Sequence, residues 1–183
     1  MDELSLYILD ITMNSVRAGA SEILISLREK DGILTFRVTD NGCGMTREQL
    51  EKLSDPFFTT RKTRKVGLGI PFLKMLAELT GGSVTVTSVP ASESEAHGTT
   101  TEAVFHTDHI DAIPLGDITQ TVTTLIQGAP DVNFTFEHIT PKGDVRLSCE
   151  ELRAVLGSEI SLAEPEVLSW IGAELTEQYA ALQ

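Results

Sequence analysis

Two cysteines in 183 residues are too few for a disulfide framework or a cysteine-rich zinc site. Long apolar runs are missing as well. None reaches the length that spans a bilayer, and the N-terminus lacks the basic-then-apolar pattern of a secretory signal. A cytoplasmic location is therefore expected. Positive charge is scarce: 14 Lys and Arg stand against 27 Asp and Glu, a formal net charge of −13. That balance opposes nonspecific attraction to nucleic acid or to an anionic membrane. Internal repeats and low-complexity tracts are absent too.

What remains has the make-up of a globular protein, 41% hydrophobic and 22% charged. The length suits one domain, or one domain with an appendage. Against the acidic background Arg61, Lys62, Arg64 and Lys65 form one local basic cluster.

The stretch that draws attention is Asp40-Asn41-Gly42-Cys43-Gly44-Met45. It follows an expected strand over residues 33–39, in which Leu34, Phe36 and Val38 share a face because strand side chains alternate. Asp40 continues the same parity, which points a carboxylate toward the side its neighbours bury. A buried carboxylate needs donors. A ligand donor such as a purine amino group is one candidate, and the two glycines would let the backbone approach a flat ligand. A strand-end turn with an exposed Asp is the other reading of this hexapeptide.

Ahead of it, residues 2–18 read as a helix with Leu4, Ile8, Ile11, Ser15 and Ala18 on one stripe. Asp10, Asn14 and Arg17 line up beside that stripe, at its border; a solvated flank is the alternative. Residues 22–28 and 33–39 read as strands joined through Lys30-Asp31-Gly32, a tight-turn signal. Thr46 is a candidate N-cap for a short helix. Residues 55–66 mix two aromatics, hydroxyls and cations without a clean period. They lead into Gly67-Leu68-Gly69, a glycine-rich helix entry of the kind that receives anions. Strands are expected at 84–88 and 99–105, with Thr99 on the buried parity. From residue 109 onward three basic residues face twelve acidic ones. Helices are expected there at 116–127, 148–156 and 165–182, with a strand near 133–138. His106, Asp108, His109 and Asp111 are possible metal ligands by type, although their spacing suits a capped junction loop better. Cys43 reads as a small packed residue. Trp170, Ile171, Leu175 and Tyr179 read as core packing, or as a face for a partner.

Taken together these stretches resemble the ATP-binding (GHKL) domain shared by gyrase-type topoisomerases, ninety-kilodalton heat-shock chaperones, sensor histidine kinases and MutL-type proteins. Asp10 to Ala20 resembles the N box, and Asp40 to Met45 the first glycine box. Pro56-Phe57-Phe58-Thr59-Thr60 followed by Gly67-Leu68-Gly69-Ile70 resembles the phenylalanine and second glycine boxes of histidine kinases, and Gly98-Thr99 the closing strand. The resemblance covers about residues 1–108 and implies an α+β, two-layer sandwich of the Bergerat type, with helices on one face of a mixed sheet. Residues 109–183 would form a smaller acidic α+β extension, continuing the sheet or packing beside it.

The resemblance also implies ligands and roles. ATP and Mg²⁺ would be the cofactors, with Asn14 helping to hold the metal. Asp40 would accept from the adenine amino group, Gly42 and Gly44 would let the backbone pass the base, and Met45 and Thr99 would lie nearby. Gly67, Leu68 and Gly69 would offer N–H groups to the phosphates beneath a lid at 57–66, with Arg61 and Lys62 as its phosphate contacts. Asp10 stands where family ATPases usually carry a glutamate as general base. It is one methylene shorter, which argues against fast hydrolysis. Lys65 departs from the usual glycine.

No phosphoacceptor helix precedes the N box in this sequence, and no transducer is recognisable after residue 108. The expectation is an ATP-dependent regulatory module acting on a protein partner, with homodimerisation open. A protein kinase acting in trans on histidine or serine, and a slow ATPase using Asp10, are the alternatives.

Overall fold

The computed structural model describes residues 3–53 and 69–183. In chain order the elements are α1 (Leu4–Arg17), β1 (Glu22–Lys30), β2 (Ile33–Asp40), α2 (Arg47–Lys52), α3 (Gly69–Leu79), β3 (Ser83–Val89) and β4 (Gly98–His106). There follow α4 (Ile118–Gly128), β5 (Asn133–Thr140), β6 (Gly143–Ser148), α5 (Cys149–Leu156) and α6 (Pro165–Ala180).

The six strands form one mixed sheet in the order β3-β4-β2-β1-β5-β6. Asp31 (φ 52°) and Gly32 (φ 74°) both lie in the left-handed region, which gives the β1–β2 hairpin the primed-turn twist its antiparallel strands need. β5 lies parallel to β1. Of the two placements open to residues 109–183, the chain therefore takes the one that continues the sheet.

Register explains the layering. One inward row runs Val86, Thr101, Val38, Ile25, Phe136 and Leu147; the next runs Val84, Ala103, Phe36, Leu27, His138 and Val145. Side chains of α1, α3, α4 and α6 join these rows in a single core. Phe36 and Leu27 are fully buried there. The opposite face is polar, as period-two alternation requires of a sheet covered on one side. Across it Arg37 pairs with Glu102, Ser26 donates to Glu137 at 2.7 Å and Arg146 approaches Glu137 at 3.4 Å.

Strand β6 was not expected from the sequence. Its signal is short: the buried Val145 and Leu147 alternate with the exposed Asp144 and Arg146, too few alternations to stand out locally. Its outer edge is closed by Gln178 of α6, which accepts from the Arg146 N–H at 2.8 Å and donates to its carbonyl at 3.1 Å. Those bonds occupy the outward backbone groups of Arg146, which an added strand would otherwise pair with. On α6 Ile171 and Leu175 are buried, as core packing requires, whereas Trp170 is 53% exposed.

Candidate functional site

The third inward row brings Ser88, Thr99, Asp40, Ile23 and Phe134 side by side. It lies at the end of the sheet where β2 finishes and β4 begins, so Asp40 and Thr99 border a cavity of about 350 Å³. Asp10, Asn14, Arg17, Asp40, Gly44, Met45, Gly69 and Thr99 all line that cavity. The stretch from Asp40 and the polar stripe of α1, widely separated in sequence, thus face one space. Arg61, Lys62, Gly67 and Leu68, with the lid expected at 57–66, lie outside the described residues.

Asp40 is 9% exposed and well supplied with donors. Ser15 Oγ donates to Oδ2 at 2.5 Å, and the Gly42 and Thr99 N–H groups donate to Oδ1 at 2.9 and 3.1 Å. Hydrogen bonds to a carboxylate are charge-assisted. Parity alone implied that burial here calls for donors, a ligand donor being one candidate; the chain itself supplies three. A carboxylate has about four acceptor directions. Oδ1 has accepted two hydrogen bonds and Oδ2 one, so Oδ2 keeps one direction on a residue that lines the cavity.

The glycines let the backbone pass the protein's own chain. Gly44 has φ 67°, and a β-carbon there would fall 2.0 Å from the Val89 carbonyl oxygen. At Gly42 a β-carbon would meet Ala18 at 2.9 Å. The stretch is strapped on both sides: Cys43 N–H donates to the Ala18 carbonyl at 2.9 Å, and Ala91 N–H to the Cys43 carbonyl at 2.8 Å. His97 Nδ1 lies 2.5 Å from the Gly42 carbonyl. A carbonyl only accepts, so this nitrogen carries the proton. Asn41 turns away to receive the Ser21 and Glu22 N–H groups at 2.9 and 3.0 Å.

Met45 is fixed through its N–H, which donates to Ser88 Oγ at 2.7 Å. Ser88 gives its one proton to the Gly98 carbonyl at 3.0 Å, so the Thr99 hydroxyl donates to Ser88 at 2.7 Å. Thr46 and Gln49 form a reciprocal capping box at the start of α2, and Gln49 also borders the cavity.

On α1, Arg17 donates to Asn14 Oδ1 at 2.9 Å. Arg17 is the one cation among the described residues lining the cavity. Gly69 opens α3, and a β-carbon there would lie 2.2 Å from Asp10 Oδ2. Among the described residues no group of three His, Cys, Asp or Glu is placed to hold a metal. Within their cluster His109 Nδ1 lies 3.5 Å from Asp111 Oδ2, and the His109 N–H donates to the His106 carbonyl at 3.3 Å.

Sequence reasoning did not single out Ser15, Ser88, His97 or Gln49 as site residues. Ser15 carried a signal, being a hydroxyl on an otherwise apolar stripe. Ser88 and His97 could be found only once the β3–β4 register was known.

Residues 2–109 match the family described as Histidine kinase-, DNA gyrase B-, and HSP90-like ATPase. The chain belongs to that family. Among similar proteins, the Sensor histidine kinase ZraS of Klebsiella oxytoca is 36% identical over 92 residues, 49% of this chain and 20% of that kinase. A Probable C4-dicarboxylate sensor kinase of Bacillus subtilis (strain 168) is 31% identical over 77 residues, 42% of this chain and 14% of its own length. The chain therefore spans a fifth or less of these two relatives.

Two solved structures share the fold of this family member. The N-terminal domain of a DNA repair protein has a TM-score of 0.59 at 19% identity, covering 86% of this chain and 58% of that one. The Aquifex aeolicus MutL ATPase domain complexed with ADP has a TM-score of 0.57 at 14% identity, covering 85% and 69%. Both cover more of the chain than residues 2–109 make up, so the shared fold takes in part of residues 110–183. Among the described residues no helix is long and apolar enough to cross a membrane.

Proposed function

We propose that this protein binds ATP with Mg²⁺ in the cavity at the end of β2 and β4, and that the bound nucleotide controls its engagement with a protein partner. The observation that carries the reading is Asp40, a buried carboxylate held by three internal donors with one acceptor direction left on Oδ2. The adenine amino group is a donor of the kind that direction takes. Ile11, Met45, Ile70 and Val86 supply apolar walls for the base. Arg17 brings a guanidinium suited to phosphate oxygens.

Membership of an ATPase family, and the fold shared with an ADP-bound MutL domain, support ATP as the ligand. The side chains present fit Mg²⁺, a hard cation that takes oxygen ligands and keeps several waters. Asn14 Oδ1 and the Asp10 carboxylate are oxygen ligands of that kind on one wall of the cavity. When bound, the metal would offset phosphate charge. The partner half of the reading rests on the likeness to sensor kinases, whose aligned part is the same small portion.

Calorimetry with Mg²⁺ and ATP on the wild type and on Asp40→Asn tests the binding half. The amide would turn an NH₂ toward donors already aimed at Asp40. Affinity should fall at least about tenfold, since a hydrogen bond to a charged group contributes about 1.5–3 kcal/mol. No heat with the wild type, or equal affinity in a variant whose melting curve shows it folded, would contradict the reading.

A further inference from the structure

The two edges of the sheet are finished differently. At β6 the outward groups of Arg146 are taken by Gln178 of α6. At the other edge stands β3, which reads Ser83-Val84-Thr85-Val86-Thr87-Ser88-Val89 and carries neither charge nor proline. It pairs with β4 residue for residue, without a bulge. Charge, proline and bulges are common means of keeping an edge from pairing. β3 has none of them.

The ladder fixes which backbone groups of β3 face outward. Thr107 N–H donates to the Gly32 carbonyl at 2.8 Å, and Thr99 N–H reaches Asp40. Bonded and unbonded pairs alternate along antiparallel strands. The odd-numbered residues of β4 therefore turn their backbone toward β2, and the even-numbered ones toward β3. The partners of those even-numbered residues are Ser83, Thr85, Thr87 and Val89. The N–H and C=O groups of Val84, Val86 and Ser88 thus point away from the sheet. Among the described residues no other backbone group bonds to them.

We propose that β3 is a dimer seam, at which two copies of this chain pair β3 with β3, antiparallel, about a two-fold axis at Val86. The strand itself selects a second copy as the occupant. Its centre, Thr85-Val86-Thr87, reads the same in both directions, and its ends exchange serine with valine. Val86 then faces Val86 of the second copy, Thr85 faces Thr87, Val84 faces Ser88, and Ser83 faces Val89. The bonded pairs fall at Val84–Ser88 and Val86–Val86, where the outward groups lie. Thr85 and Thr87 meet on the polar face, a favourable cross-strand pair. Charge selects the same place. At a net charge of −13 two copies repel one another over much of their surface, but here no charged side chains come opposite each other. A two-fold contact also closes on itself, so assembly stops at two chains. The seam adjoins the candidate site, since Val86 borders the cavity and Ser88 Oγ accepts from Met45 N–H. It does not depend on what the cavity binds.

Sedimentation equilibrium tests the proposal, on chain concentrations up to about 1 mM in about 0.15 M salt, because one strand pair makes a small interface and a weak dimer. The variants are Thr85→Lys with Thr87→Lys, and Thr85→Glu with Thr87→Glu, at positions exposed on the polar face. The wild type should form a dimer that dissociates on dilution. Each double variant should associate with itself at least about tenfold more weakly, since like charges then stand opposite across the seam. An equimolar mixture of the two should regain the mass of two chains, because each introduced lysine faces an introduced glutamate. A wild type that stays monomeric throughout overturns the proposal. So do double variants that dimerise as the wild type does, or a mixture that stays monomeric while both variants melt like the wild type.

Discussion

Ser15 Oγ donates to Asp40 Oδ2 at 2.5 Å, joining α1 to the end of β2 across 25 positions of sequence. Both residues are buried. The bond fixes the carboxylate on which the adenine reading depends, and it also ties the helix that carries Asn14 and Arg17 to the sheet that carries Asp40 and Thr99. Ser15→Ala leaves that carboxylate short of one donor in a confined place. We expect a stability loss of about 1–3 kcal/mol, read from urea denaturation, together with weaker ATP binding.

How far such a site can be read from sequence depends on where its partners lie. The Asp31-Gly32 turn, the alternation of β1 and β2 and the Thr46 cap are local patterns, and each is found as expected. Asp40 could be recognised as a carboxylate on the buried parity. Its donors could not, because Thr99 reaches it through the β2–β4 register and Ser15 through helix packing. The glycines at 42 and 44 showed a need for freedom, but not that Ala18 and Val89 are what press on them. β6 was missed because two buried residues are too short a pattern to assert a strand.

Gly44 and Gly128 should respond oppositely to alanine. At Gly44 the positive φ and the Val89 carbonyl leave no place for a methyl group. Gly44→Ala should cost about 1–3 kcal/mol or more from backbone strain alone and disturb the straps from Cys43. At Gly128, the last residue of α4, a β-carbon would meet nothing within 4 Å. Gly128→Ala should be neutral or stabilise by up to about 1 kcal/mol through helix propensity. Paired denaturation curves check the contrast.

His138 makes the fold sensitive to acid. Its imidazole on β5 is 2% exposed, with Nε2 2.9 Å from Glu29 Oε1 and Nδ1 2.8 Å from the Tyr179 hydroxyl. Burial pushes its pKa below the ordinary histidine value, and Glu29 offsets only part of that. The Tyr179 phenol is pushed up by burial and by Glu29, so it stays protonated and donates to Nδ1. With a lowered folded-state pKa, the unfolded chain takes up the proton first as pH falls. The contribution is therefore present above the ordinary histidine value and is lost below it. Stability should decline as pH falls through and below the ordinary histidine value of about 6.5, and His138→Gln should flatten that part of the profile.

Phosphate release separates binding from turnover. The regulatory reading expects ATP to remain intact, with release no faster than from ATP in buffer. Release that Asp10→Ala abolishes would instead make the protein a slow ATPase. Transfer of label from γ-labelled ATP to another protein would make it a kinase.

The central claim is that the Asp40 end of the cavity reads adenine, and base selectivity tests it most directly. Adenine presents an amino donor where guanine, in the same pose, presents a carbonyl acceptor to a carboxylate. Titration of the wild type with ATP and with GTP, both in Mg²⁺, should show one ATP bound per chain. GTP should bind at least about tenfold more weakly, because a buried acceptor facing a charged acceptor forfeits a charge-assisted hydrogen bond. Equal affinity for the two nucleotides, or no binding of ATP, would contradict the account.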